Sequence, residues 1–260
     1  MRGRPGDPAV NALRMAVGTL TVLPVRAPAV DRVTAGRAMV LAPAVGLLLW
    51  LPVAALLQVA DDAGLSPLLA AALSVGLLAL LTRAMHLDGL ADTADGLGSG
   101  RPALEALAVM RRGDVGPFGV VTLLLTLLVQ VTALGQLVAT GGDAIGVGGA
   151  LVVSRLALPL ACLRGVPAAR RDGLGSAVAG SVSRPMALVA VALAFAPGLV
   201  LVGLGFAVGL EVVVVAPLGL LAGLAVGWRA LRRLGGITGD VLGAVVEATF
   251  TASLVALCVA

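Results

Sequence analysis

Charge is what this sequence has least of. Asp, Glu, Lys and Arg make up 12% of its 260 residues, about half the share usual in soluble domains, which excludes a soluble globular protein. Disorder is excluded too, because 59% of the residues are hydrophobic and the mean hydropathy is +1.08, whereas disordered chains combine low hydrophobicity with high charge. Lysine is missing altogether, since all 18 basic residues are arginine. These arginines are scattered among short loops, so the net charge of +4 and the pI near 10.8 read as membrane orientation rather than as a nucleic-acid surface. Cysteine is almost absent: Cys162 and Cys258 lie far apart in apolar runs and His86 is the one histidine. That leaves no zinc site and no disulfide framework. Aromatic residues are 2% against 35 glycines, a composition for helices that approach closely through small residues.

What remains is hydrophobic length. A spanning helix needs about 20 mostly apolar residues, and seven such runs can be marked, at roughly 37–58, 66–84, 117–139, 145–163, 186–208, 212–228 and 240–259. No polar stretch is long enough to fold alone, so residues 1–260 read as one membrane-embedded domain. The apolar stretch from Met15 to Val25 is short and interrupted by Thr and Pro, and reads poorly as a cleaved signal peptide. Arginines sort the connections. Arg2, Arg4, Arg14, Arg26, Arg32 and Arg37 precede or open the first run; Arg101, Arg111 and Arg112 lie in 85–116; Arg164, Arg170, Arg171 and Arg184 lie in 164–185; Arg229, Arg232 and Arg233 precede the last run. The links at 59–65, at 140–144 and around Glu211 carry none. This alternation predicts an all-α polytopic bundle of about seven transmembrane helices, with a cytoplasmic N-terminus and the C-terminus outside. The long loops, and any chemistry, then belong to the cytoplasmic face.

One segment there is unusual. In His86-Leu-Asp88-Gly-Leu-Ala-Asp92-Thr-Ala-Asp95-Gly96 the three acids are spaced i, i+4 and i+7, a single stripe on a helix. Like charges so placed repel, and holding them together points to a bound cation. All-oxygen ligands suit Mg²⁺ or Mn²⁺, and Mg²⁺ shares its shell with substrate phosphates; a solvated acidic face is the plainer alternative. Asp240 and Glu247, seven residues apart in the last run, share a face as well, and an acid inside the hydrocarbon is a functional candidate by default. Glu247 reads equally as a buried partner of Arg83 or Arg155. Arg111, Arg112 and Asp114 stand just before an apolar run, where guanidinium groups suit bidentate phosphate binding or simply anchor the helix. Gly173, Gly175, Gly235 and Gly236 could cradle phosphate with backbone N–H groups, although short glycine pairs are more often turns. His86, two residues before Asp88, suits a base or a helix-end hydrogen bond.

Taken in order, HLDGLADTADG, ALAVMRRGDVGPFG, VVSRLAL, DGLG and GGITGDVLGAVVE, with TVLPVRAP and LAPAVGLLLW before them, resemble the cobalamin synthase family, whose members are also called adenosylcobinamide-GDP ribazoletransferases. The resemblance covers nearly the whole chain. Two departures are visible: the acid and second base appear exchanged in Met110-Arg-Arg-Gly-Asp-Val-Gly116, and Ala94 stands where the family often has Cys. The resemblance implies an integral enzyme of the cytoplasmic membrane that joins α-ribazole, or its 5′-phosphate, to adenosylcobinamide-GDP and releases GMP, with Mg²⁺ as cofactor. It also implies site roles: Asp88, Asp92, Asp95 and Asp240 at the metal, His86 or Asp92 as proton acceptor, and Arg111 and Arg112 on the GDP phosphates. Asp114, Gly236 and Glu247 join the expected substrate site. No nucleic acid is expected as a partner, and the glycine-rich faces leave a homo-oligomer open. Two other readings remain. A CDP-alcohol phosphotransferase would share Asp92-Thr-Ala-Asp95-Gly96 but not the rest of its signature, and a cation or solute transporter would place its acids nearer the midplane.

Overall fold

Helix starts follow the punctuation of the sequence. The computed structural model describes residues 7–26, 31–141, 144–203 and 207–259. Its helices are α1 (Pro8–Leu20), α2 (Arg32–Val40), α3 (Ala42–Asp62), α4 (Pro67–Leu81), α5 (Met85–Gly98), α6 (Ala103–Val109), α7 (Pro117–Ala139), α8 (Ala144–Ala161), α9 (Gly173–Val178), α10 (Arg184–Gly203), α11 (Ala207–Leu234) and α12 (Gly239–Leu257). Proline opens α1, α4 and α7, where a missing N–H leaves no bond unmade. Side chains of Asp7, Asp31, Ser66 and Thr238 accept the first free backbone N–H groups of α1, α2, α4 and α12, as helix starts require. At Asp31 the Thr34 hydroxyl also donates, at 2.7 Å, and holds that carboxyl below its ordinary range.

The seven apolar runs appear as α3, α4, α7, α8, α10, α11 and α12. One boundary differs: the link expected around Glu211 falls inside α11, because one acid among Ala, Val and Leu does not stop a helix. Arg2, Arg4 and Asp143 lie outside the described residues. Among the described residues, α3, α7, α8 and α12 are long and apolar enough to cross a membrane, and the pair α4–α5 passes the same test only as a bent unit. The chain is therefore an all-α polytopic bundle.

Burial separates the centre from the rim. In α8 and α12, 78% and 67% of the apolar window is enclosed, against 33% in α3 and 28% in α7. Leu124, Leu125 and Leu128 of α7 are exposed, a face suited to lipid rather than water. Small residues bring helices together: Gly219 and Gly223 of α11 sit against Ser253 and Thr249 of α12 so closely that a Cβ at either glycine would overlap those side chains.

Two features position the loops. Between α4 and α5 the chain bends by 88°, through Arg83 and Ala84, both in the left-handed region at φ 56° and 52°. The arginine-bearing connections also meet at one end of the bundle. There Arg32 donates to the carbonyls of Ala179 and Gly180, Arg233 to that of Arg101, and Arg170 to that of Leu107. The opposite end holds the link 59–65 and the C-terminal turn, where Gln136 donates to the Cys258 carbonyl.

Candidate active site

A close helix crossing builds the site. Gly89 of α5 lies against the backbone of Asp240 in α12, and a Cβ there would stand 2.7 Å from the Asp240 carbonyl oxygen. Gly243, one turn further on, meets the His86 backbone, with 3.1 Å left for a Cβ. No larger side chain at residue 89 would let α5 and α12 approach so closely. The crossing carries Asp88 and Asp92 up to Asp240, although 148 or more residues separate them in sequence.

Beside the crossing is a cavity of about 250 Å³, walled by His86, Asp88, Arg170, Asp172, Thr238 and Asp240, by the backbone of Gly173, Gly175 and Gly239, and by Leu20, Met39 and Leu158 beneath. Asp92 is one turn along α5 from Asp88, within electrostatic reach of Asp88, Asp240 and Arg170. Asp240 accepts from the Thr238 hydroxyl at 3.2 Å and pairs with Arg170 at 3.4 Å. Three carboxylates thus share one principal counter-charge. Arg111 is committed elsewhere, to both oxygens of Asp172 at 2.5 and 2.7 Å, a bridge that ties the loop before α7 to the start of α9.

The stripe expected from the sequence divides. Asp95 is only 7% exposed, and its oxygens accept the backbone N–H groups of Gly116 at 2.7 Å and Gly119 at 2.9 Å. It fixes the first turn of α7, whose N–H groups have no helical partner. His86 is 3% exposed, and neither ring nitrogen has a partner. Arg112 and Asp114 are exposed in the loop before α7 and outside the cavity wall. Gly236 is buried against the backbone of Pro167–Ala169. Glu247 lies about 10 Å beyond Asp240 at helical rise, accepts from Gln130 Nε2 at 2.7 Å, and lines a separate cavity of about 20 Å³ with Arg155. It does not reach the Asp88–Asp240 cavity.

Among the described residues, no three His, Cys, Asp or Glu side chains converge tightly enough to hold a metal by themselves. The donors fit Mg²⁺ in a different way. That ion typically takes one or two carboxylates and completes its octahedron with water and substrate phosphate, and Asp88 and Asp240 line the cavity while Asp92, one turn further along α5, does not. Sequence reasoning missed Arg170 and Asp172 as site residues. The only hint was Arg170-Arg-Asp172-Gly next to the glycine pair, and nothing in it separates those residues from an ordinary basic loop.

Fold and site together define a polytopic α-helical membrane protein with an acidic cleft at its arginine-rich end. The chain belongs to the cobalamin-5-phosphate synthase family, which it matches over residues 12–258. It is 46% identical over 248 residues to a protein of Nocardioides sp., covering 95% of this chain and 97% of that one. It is 40% identical over 258 residues to one of Frankia casuarinae, covering 94% and 93%, and 38% identical over 234 residues to one of Bradyrhizobium diazoefficiens, covering 89% and 87%. All three are named adenosylcobinamide-GDP ribazoletransferase. No solved structure matches. The family match does not favour the CDP-alcohol phosphotransferase or transporter readings.

Proposed function

We propose that this chain transfers α-ribazole, or its 5′-phosphate, to adenosylcobinamide-GDP, releasing GMP and completing the nucleotide loop of cobalamin. The observation that carries the reading is the Gly89–Gly243 crossing, which brings Asp88 and Asp240 to the wall of one cavity with Arg170 and leaves Asp92 one turn further along α5, within electrostatic reach of them. The relatives' shared name supplies the substrates. The reaction is attack of a hydroxyl on a diphosphate, in which protein groups position the reactants and balance charge.

Asp88 and Asp240 would hold Mg²⁺ together with substrate phosphate, with Asp92 one turn along α5 adding negative charge, and the ion would supply neutralisation of the diphosphate and of the charge that builds on it during substitution. The backbone of Gly173 and Gly175 lines the cavity beside them and offers N–H groups to phosphate oxygens. The proton of the attacking hydroxyl passes to Asp92, which has no backbone donor of the kind that occupies Asp95. His86 is in the cavity wall with both ring nitrogens unbonded, but it is almost wholly buried, and burial disfavours its protonated form, which makes Asp92 the better acceptor. Arg111, once exchanged from Asp172 to the nucleotide, reaches the GDP phosphates from the rim, with Arg112 beside it. The protein works in the cytoplasmic membrane, with its N-terminus and cavity on the cytoplasmic side, where its soluble substrates are.

The test is direct. Membranes carrying the chain, supplied with Mg²⁺, adenosylcobinamide-GDP and α-ribazole, release GMP in step with corrinoid product, and EDTA stops the release. Membranes that release CMP from a CDP-alcohol instead, or no nucleotide at all, would overturn the proposal.

A further inference from the structure

Arg170 is held from two sides and left with donors to spare. Its loop is docked on the segment before α12 by backbone hydrogen bonds, Ala169 N–H to the Ile237 carbonyl at 2.9 Å and Ile237 N–H to the Pro167 carbonyl at 3.0 Å. Gly236 allows that docking, because a Cβ there would overlap the backbone of Ala168 and Ala169. Residue 237 is three positions before Asp240, so the loop is tied to the segment that carries the acid. The guanidinium then reaches across to α6, where Nη2 donates to the Leu107 carbonyl at 2.9 Å. Nη1 makes only a long contact of 3.4 Å with Asp240. Nε is buried without any acceptor.

A guanidinium has five N–H donors and no acceptor, and a buried donor left unpaired is unfavourable unless something fills the vacancy. The side chain is 16% exposed and lines the cavity shared by Asp88 and Asp240. The other cations near the cavity are differently placed. Arg111 is spent on Asp172, and Arg112 is outside the wall. Planar guanidinium donors match phosphate oxygens, whereas the neighbouring carboxylates repel them unless a cation intervenes.

We propose that Arg170 is a substrate-binding residue that donates its Nε–H, and on loading its Nη1–H, to the diphosphate of the nucleotide substrate. This rests on the diphosphate chemistry assigned above. The Arg170–Asp240 contact compensates the charge of a half-buried acid. When a diphosphate takes Arg170, Asp240 is released to face the cation that arrives with it. The same arginine thus couples the entry of the anion to the readiness of the acidic cluster.

The experiment uses the detergent-solubilised full chain and Mg²⁺·GDP as the probe, read by thermal melting at rising GDP. Wild-type protein is stabilised by GDP. Arg170→Gln needs about tenfold more GDP or higher for the same shift, the loss expected when a charge-assisted phosphate contact goes. Arg170→Lys keeps the charge beside Asp240 but lacks Nε, and shows the same weakening; it decides the matter if Arg170→Gln does not fold. A variant that melts lower without ligand yet keeps the full GDP shift makes Arg170 a strut between α6 and α12 and overturns the proposal. So does a wild-type protein that GDP does not stabilise. Failure of the ribazole transfer assay with the GDP effect intact would instead strike the choice of substrates and leave the role of Arg170 standing.

Discussion

Asp92 and Asp95 stand three residues apart on one helix, yet their surroundings give them different work. Both oxygens of Asp95 are taken by backbone N–H groups at the start of α7. Asp95→Asn keeps one acceptor and turns the other into a donor that faces an N–H, so the folded state loses about 1–3 kcal/mol. Thermal melting in detergent should show that drop, while turnover per folded molecule and its Mg²⁺ dependence stay near those of wild type. Asp92 meets mostly like charges, from Asp88, Asp240 and Asp95, with Arg170 as the opposing charge. Removing its charge relieves repulsion, so Asp92→Asn should melt no lower than wild type while ribazole transfer falls by several orders of magnitude. Asp88→Asn should behave the same way. Sites built for function often trade stability in this manner. Near-normal turnover in either variant at saturating Mg²⁺ would remove that acid from the proposed Mg²⁺ site.

At the scale of elements, the site depends on how closely α5 lies on α12. A Cβ at Gly89 would stand 2.7 and 2.8 Å from Asp240 backbone atoms, nearer than side chains tolerate, so Gly89→Ala must push the helices apart. A displacement of about 1 Å at a reacting centre can cost about a hundredfold in rate, and that is the fall expected in turnover. Gly76→Ala is the control, since nothing lies within 4 Å of a Cβ there; its activity and melting should not change. An active Gly89→Ala with unaltered melting would mean that the crossing does not set the site. The helices themselves were legible in the sequence, because a bilayer demands long apolar runs; how many of them span was not, since among the described residues four helices, or five counting the bent α4–α5 pair, are long and apolar enough. The acidic stripe was legible for a similar reason, as a period of one helical turn. Its division was not, since the fate of Asp95 is decided by Gly116 and Gly119, more than twenty residues on. Arg170 looked like any other arginine of a positive loop until the bridge to Ile237 set it beside Asp240. Glu247 shares a helical face with Asp240, but two turns of rise take it into a different cavity, a separation that angular periodicity alone does not register.

The whole molecule has two unlike ends. At one, the connections bearing Arg32, Arg101, Arg111, Arg170 and Arg233 are joined by hydrogen bonds and an ion pair into a single surface. At the other, the link at 59–65 has acids and no arginine, and the C-terminal turn closes against α7. Arginine-rich connections tend to stay on the cytoplasmic side during insertion, and the proposed function puts the acidic cavity at that end on that side. Two exposed positions report it. Ala63 follows α3 at the bare end, and Gly113 lies in the open loop before α7 with nothing within 4 Å of a Cβ. With Cys162 and Cys258 replaced by alanine, Ala63→Cys should react with an impermeant thiol reagent applied to intact cells. Gly113→Cys should react only after the membrane is opened. The reverse pattern would turn the cavity to the outside, away from a cytoplasmic supply of nucleotide-activated substrate, and the proposed reaction would lose its setting. Labelling of both from outside would break the link between arginine content and side that joins the sequence to the fold.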